Sequence, residues 1–213
     1  MNIGILGSGE VAQSLAAGFL ARGHAVKLGT RDDGKLADWK AGAGDRASVG
    51  SFADAARFGE LVVLATLGTA TVDIVTAAGA EAFAGKTVID ATNPLRYDRG
   101  APELAFGGFD DSLGERVQSA LPNAHVVKAF NTVGASLMVD PKLRNGPPLM
   151  FLAGNDAGAK KVAAEIVRSF GWDVDDLGGI EQSRLLEALC MVWVRHGLVR
   201  GTWEHAFAFL TPV

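Results

Sequence analysis

The chain opens on a short apolar run, Asn2–Leu6, that ends in glycine, and this pattern predicts a buried strand. Val11–Arg22 then carries apolar residues at 11, 15, 19 and 20, the spacing of one helix face, and Gly23 supplies the stop. Ala25–Leu28 predicts a second strand. "LVVLAT" (Leu61–Thr66) predicts a third, followed by a helix near Val72–Phe83. "KTVIDAT" (Lys86–Thr92) is another strand. Asn93–Gly108, rich in Gly, Pro and Asp, predicts a loop. Ser112–Leu121 has a helical pattern, with Asp111 as a candidate N-cap and Pro122 beyond its end. Strands are expected at His125–Phe130 and Pro148–Gly154, a helix over Ala157–Phe170, and a short strand in "WDVDDL". Glu181–Phe209 is expected to be mostly helical.

Strands alternate with helices almost throughout, which argues for an α/β fold with a mostly parallel sheet covered on both faces. No internal repeat or low-complexity tract interrupts the pattern. "NGPP" after Arg144 marks a soft boundary. Residues 1–144 are therefore expected to form the main domain and 145–213 a small C-terminal α/β extension packed on it, unless 1–213 is one domain.

Composition narrows the classes. Of 213 residues, 48% are apolar, enough for a sizeable core. The net charge is -4 and no basic run stands out, which argues against a nucleic-acid partner. The only cysteine is Cys190, so no disulfide can form within the chain, as expected for the cytoplasm. Its apolar setting, "EALCMVWV", reads as packing rather than a reactive thiol. "MNIGILGSGE" lacks the basic start of a signal peptide, and no apolar stretch is long enough to predict a membrane span.

"GSGEVA" fits G-x-G-x-x-A at Gly7, Gly9 and Ala12. Placed between a strand and a helix, it reads as a dinucleotide fingerprint and makes the fold a Rossmann-type doubly wound sheet. Gly7 permits the tight turn, Gly9 lets backbone approach a pyrophosphate, and Ala12 allows close packing. The helix N-terminus offers free N–H groups to phosphate. Glu10 is either turned to solvent or bonded to a ribose. NAD selectivity needs an acid at the end of the second strand, for the ribose 2′-OH. This chain has Thr30 and Arg31 there, with Lys35 one turn on. A hydroxyl, a bidentate guanidinium and an ammonium suit the 2′-phosphate of NADP(H) instead. Asp32 and Asp33 either pair with Arg31 or cap a helix.

At this point "GILGSGEVAQSLAAGFLARGHAVKLGTRD", "VIDATNPL", "VVKAFNT", "LAGND" and "QSRLLEAL" together resemble the F420-dependent NADP reductase family and the cytosolic reductase domain of the STEAP metalloreductases. The resemblance covers nearly the whole chain. It implies that Gly7, Ser8, Gly9, Glu10 and Val11 hold the pyrophosphate, and that Thr30, Arg31 and Lys35 hold the 2′-phosphate. It implies that Ala65, Thr66 and Leu67 pass under the cofactor, with Asn93, Pro94, Leu95, Ala129, Phe130 and Asn131 near the nicotinamide. It also implies a homodimer. The deazaflavin-using members carry a histidine in the stretch matching Asn131. "AFNT" here follows the flavin-using STEAP type, so the acceptor, FMN, FAD or F420, stays open.

Hydride transfer between stacked rings needs orientation more than acid–base groups, so no triad or metal is expected. His24, His125, His196 and His205 lack metal-ligand spacing. Asn93 and Asn131 each follow an apolar strand, where side chains line the ligand crevice and amides can orient a carboxamide or a flavin edge. For Asn93 the other reading is turn chemistry before a proline. Lys128 either faces the polar edge of the acceptor or is a strand residue facing a loop. Trp193, Trp203, Phe207 and Phe209 crowd the tail and build a subunit interface, cover the acceptor ring, or pack a core.

The expected function is an NADPH-dependent oxidoreductase passing hydride between NADP(H) and a flavin or deazaflavin. The alternative is a non-catalytic NADP(H)-binding module that senses redox state, with its crevice filled by Phe130 or the aromatic tail. A hydroxyacid dehydrogenase or imine reductase ranks lower, because it needs a longer helical substrate domain.

Overall fold

In the computed structural model, which describes residues 1–144 and 146–210, the first strand, β1 (Asn2–Leu6), lies inside the sheet rather than at its edge. The chain leaves it through α1 (Glu10–Ala21) and builds outward as β2 (Ala25–Gly29), α2 (Ala37–Gly42) and β3 (Ala47–Gly50). A short helix, α3 (Phe52–Phe58), carries it back to β4 (Leu61–Leu64), on the other side of β1. From there α4 (Thr71–Ala78), β5 (Thr87–Asp90), a two-stranded hairpin of β6 (Leu95–Arg96) and β7 (Glu103–Leu104), α5 (Leu113–Ala120) and β8 (His125–Lys128) continue the second half. Then β9 (Leu149–Gly154), α6 (Ala157–Ser169) and β10 (Asp173–Asp176) extend the same sheet, and α7 (Ser183–Arg200) follows.

The strand order is β10-β9-β8-β5-β4-β1-β2-β3, with every pairing parallel except β8 with β9. The fold is therefore the doubly wound, mostly parallel sheet that the alternation predicts. Winding reverses between β1 and β4, and a ligand crevice opens beyond the carboxyl ends of strands at such a point. Strands such as β4, Leu-Val-Val-Leu, are buried on both faces and so read as continuous apolar runs. On one face α1 and α6 pack Leu15, Phe19, Val167 and Phe170 against Ile3, Ile5 and Val127. On the other, α3, α4 and α5 pack Ala55, Val75 and Val117 against Leu6, Val62 and Val88.

Four readings change. The Asn93–Gly108 loop contains the β6–β7 hairpin, whose strands of two residues are too short to show a period. The N-cap of α5 is Ser112, whose Oγ accepts from the Glu115 N–H, and Asp111 instead faces Arg116. The β3 and α3 segments gave no sequence signal at four and seven residues, and α3 is held by a capping box between Ser51 and Asp54. The last helix stops at Arg200, where Gly201 takes a left-handed φ of 66°. Residues 202–210 then run back as a strap. Trp203 lies over Gly197, and the Leu149 N–H donates to the Phe207 carbonyl. Among the described residues, no helix is long and apolar enough to cross a membrane.

Candidate functional site

A cleft of about 830 Å³ lies beyond the carboxyl ends of β1, β2, β4, β5 and β8. Its floor begins where β1 turns into α1. Gly7 has a φ of 145°, and a Cβ there would fall 2.3 Å from the Ala65 carbonyl oxygen, so this turn admits only glycine. Gly9 differs. Its φ is -80°, an added Cβ would meet nothing within 4 Å, and the residue lines the cleft. A Cβ at Gly9 would thus stand in open space beside the α1 N-terminus, whose free N–H groups suit an anion.

The end of β2 forms one wall. Arg31 and Lys35 line it, are exposed, and make no ion pair among the described residues. Asp32 does not neutralise Arg31. Its carboxylate accepts from the Gly34 N–H at 3.1 Å and caps the turn that carries Lys35. The Thr30 hydroxyl accepts from the Asp32 N–H at 3.1 Å and makes only a long 3.3 Å donation to the Asp32 carbonyl. A phosphate oxygen would be a better acceptor for that proton. Glu10 is exposed at the same end. Ala65, Thr66 and Leu67 cross beneath the middle of the cleft, with the Thr66 and Thr71 hydroxyls 2.8 Å apart.

Asn93 and Asn131 meet across the centre. The Asn131 Nδ2 donates to Asn93 Oδ1 and to the Leu186 carbonyl, each at 2.9 Å, and Asn93 Nδ2 donates to the Asn131 carbonyl at 2.8 Å. These bonds leave Asn131 Oδ1 buried with no partner among the described residues. A buried unsatisfied acceptor costs about 1–3 kcal/mol, and Asn131 itself borders the cleft. A backbone anomaly places it there. Phe130 has a φ of 62°, rare for an aromatic residue, and its N–H donates to Met150 Sδ at 3.2 Å. The turn sends Phe130 into the core beside Phe170 and Asn131 toward the cleft.

Ala129 and Phe130 therefore lie in the core, and Pro94 is not among the residues bordering the cleft, whereas Asn93, Leu95 and Asn131 are. Lys128 does not face the cleft either. It is fully buried, with Nζ 2.9 Å from both Asp90 Oδ2 and Glu187 Oε1, and it donates to the Thr92 carbonyl at 2.7 Å. Burial alone would push its ammonium down, but the two carboxylates outweigh it and hold the pKa above the usual lysine value. Glu187 also accepts from the Leu113 and Gly114 N–H groups at the start of α5. Lys128 thus joins β5, β8, α5 and α7 and carries the turn that presents Asn93.

The far end of the cleft has another character. Leu95, Tyr97, Pro102, Cys190, Trp193 and Trp203 line it. Trp193 is clamped between His205, stacked at 4.9 Å, and Trp203 at 5.2 Å, and its Nε1 donates to the His205 carbonyl. Burial pushes the Cys190 thiol up to about 12, so it is neutral and behaves as packing. The contributions of Tyr97 and Pro102 were missed from sequence, because the chain brings them to the cleft only through the hairpin, whereas for Trp193 and Trp203 a place over the acceptor was one of three readings.

Comparison with known proteins agrees with this geometry. The family model described as NADP oxidoreductase, coenzyme F420-dependent, matches residues 2–94. A crystal structure from Arthrobacter sp. FB24, provisionally assigned as an F420-dependent NADP reductase, superposes with a TM-score of 0.92. It is 40% identical and covers 98% of this chain and 99% of its own. The chain belongs to the F420-dependent NADP oxidoreductase family. Within the family's wider range, the F420-dependent NADP reductase of Methanocaldococcus jannaschii is 32% identical over 139 residues, 64% of this chain and 61% of that protein. Rat metalloreductase STEAP3 is 29% identical over 188 residues, 88% of this chain. The chain spans only 36% of the length of that metalloreductase.

Proposed function

We propose that this protein transfers hydride between NADP(H) and a flavin or deazaflavin acceptor. The observation that carries the reading is one continuous cleft with unlike ends. Unpaired Arg31 and Lys35 stand at one end, the Asn93–Asn131 pair in the middle, and an aromatic, uncharged compartment at the other. In this reading Gly7, Ser8, Gly9 and Val11 cradle the pyrophosphate at the α1 N-terminus, and Thr30, Arg31 and Lys35 bind the 2′-phosphate. Asn93 and Asn131, which border the cleft, orient the nicotinamide carboxamide. The bound dinucleotide supplies a hydride from its nicotinamide. The chain contributes orientation: Asn93 holds Asn131, and Trp193 and Trp203 shield the space where a second ring stacks.

A redox-sensing module would have that second space filled. Of the two fillers the sequence offers, Phe130 is 1% exposed in the core, and the tail residues Trp193 and Trp203 line a cleft that keeps about 830 Å³ open, which favours catalysis. The test is NADPH oxidation, followed by absorbance, with riboflavin, FMN, FAD and F420 supplied in turn. Turnover with one of them is expected. Tight NADPH binding without turnover on any would overturn the reductase reading.

A further inference from the structure

We infer that the aromatic end of the cleft recognises its acceptor as an uncharged planar ring, a flavin nucleoside in preference to the phosphorylated flavins. This rests on the reductase reading and names the substrate class of its second compartment. The charged residues that line the cleft are Glu10, Arg31, Asp32 and Lys35, all at the glycine-loop end. The aromatic end presents indole, phenol and aliphatic surface and no charged side chain among the described residues. Two cations flank it without lining it: Arg96 and Arg99, near Tyr97 in sequence, share the single Glu103 carboxylate at 2.8 and 3.6 Å. Glu204, which the strap carries beside Trp203, has the wrong sign for phosphate and accepts at 2.9 Å from Ser136, next to the lining residue Ala135.

A phosphate brought to this end would lose water, find no cation lining the cleft, and have to compete with Glu103 for the flanking arginines, a costly exchange. An uncharged ring loses little and gains stacking area. Trp203 lines the cleft and is 44% exposed, so part of its ring stays available for contact, while the Trp193 ring is already fixed by His205. Arg31 and Lys35 cannot serve the acceptor, since the dinucleotide's own phosphates occupy that end. The reaction balances without any other group. Hydride leaves the nicotinamide C4 with two electrons and bonds to a ring nitrogen of the acceptor. One proton from water completes the dihydro-acceptor, and NADP⁺ is left.

The experiment is a titration of NADP⁺-saturated protein with riboflavin and with FMN, read by quenching of flavin fluorescence. Riboflavin should bind at least about tenfold more tightly than FMN, the difference expected for one unpaired phosphate at an apolar rim. Equal or tighter FMN binding, or no binding of either, would overturn the inference. Trp203→Ala should weaken riboflavin about fivefold or more through lost stacking, with NADPH affinity unchanged. An unchanged riboflavin affinity would also overturn it. NADPH turnover separates this inference from the reading it rests on. Selective riboflavin binding without turnover would sink the reductase and leave the selectivity standing. Turnover that is best with FMN would do the reverse.

Discussion

The two ends of the cleft are built by opposite means. The glycine-loop end is local: Gly7 to Val11 and Thr30 to Lys35 each come from a single strand-to-helix turn, and the charges there are solvated and unpaired. The aromatic end is assembled from distant pieces, a hairpin at 95–104, the middle of α7 and a strap after Gly201. Its ionic supports are buried beneath it in the Asp90–Lys128–Glu187 network. An anion is recognised by a few exposed dipoles and cations that any such turn can offer. A neutral ring has to be recognised by shape, and shape comes only from packing many segments together.

The largest expected effect separates the ends most cleanly. Gly9→Val should abolish measurable binding of NADPH and NADH, while the thermal unfolding curve stays near wild type because a Cβ added there meets no protein atom within 4 Å and φ is -80°. Binding that survives would show that the loop does not cradle the pyrophosphate. Lys128→Met attacks the foundation of the other end. Removing one partner of a buried ion cluster costs about 3–5 kcal/mol, so denaturant unfolding should show a loss of that order. A loss under about 1 kcal/mol would mean that the network is not what ties α7 to the sheet. Arg31→Ala should weaken NADPH by about 2 kcal/mol, roughly thirtyfold, from one lost charge-assisted contact. NADH affinity should barely move, and calorimetry that finds equal losses would remove the 2′-phosphate assignment.

The smallest effect at neutral pH, where it vanishes, concerns Cys190 at the aromatic end. Its thiol is raised by burial from an ordinary 9.0 to about 12. Above about pH 9 the unfolded chain therefore loses this proton first, and the folded state holds more protons than the unfolded one. Stability from this group must fall as pH rises between those values, by roughly 1 kcal/mol per pH unit. Cys190→Ala should flatten that part of the stability profile relative to wild type. Parallel profiles would mean that the thiol is not buried in solution.

Local chemistry was legible where the signal lay within one turn. Gly7, Gly9, Arg31 and Lys35 were singled out by spacing and charge, and the structure lines the cleft with all of them. The residues expected around the nicotinamide were legible only in part. Asn93, Leu95 and Asn131 border the cleft, whereas Ala129 and Phe130 turn into the core, and Lys128 is sealed in a salt bridge. Alternation along β8 gave no way to say which face met the crevice, because both faces of that strand are buried. The strap was read as part of a mostly helical Glu181–Phe209, and the break depends on Gly201 and on where Trp203 can pack.

By itself, the sequence determined the alternation of strands and helices, the glycine turn and the replacement of an acid by cations after the second strand. All of these follow from neighbours a few residues apart, where backbone geometry and side-chain type suffice. Tertiary structure alone decided that Phe130 leaves the crevice, that Lys128 is spent between Asp90 and Glu187, and that Tyr97, Trp193 and Trp203 share one wall. Those outcomes depend on contacts between segments up to a hundred residues apart, and burial rather than local preference selects among them.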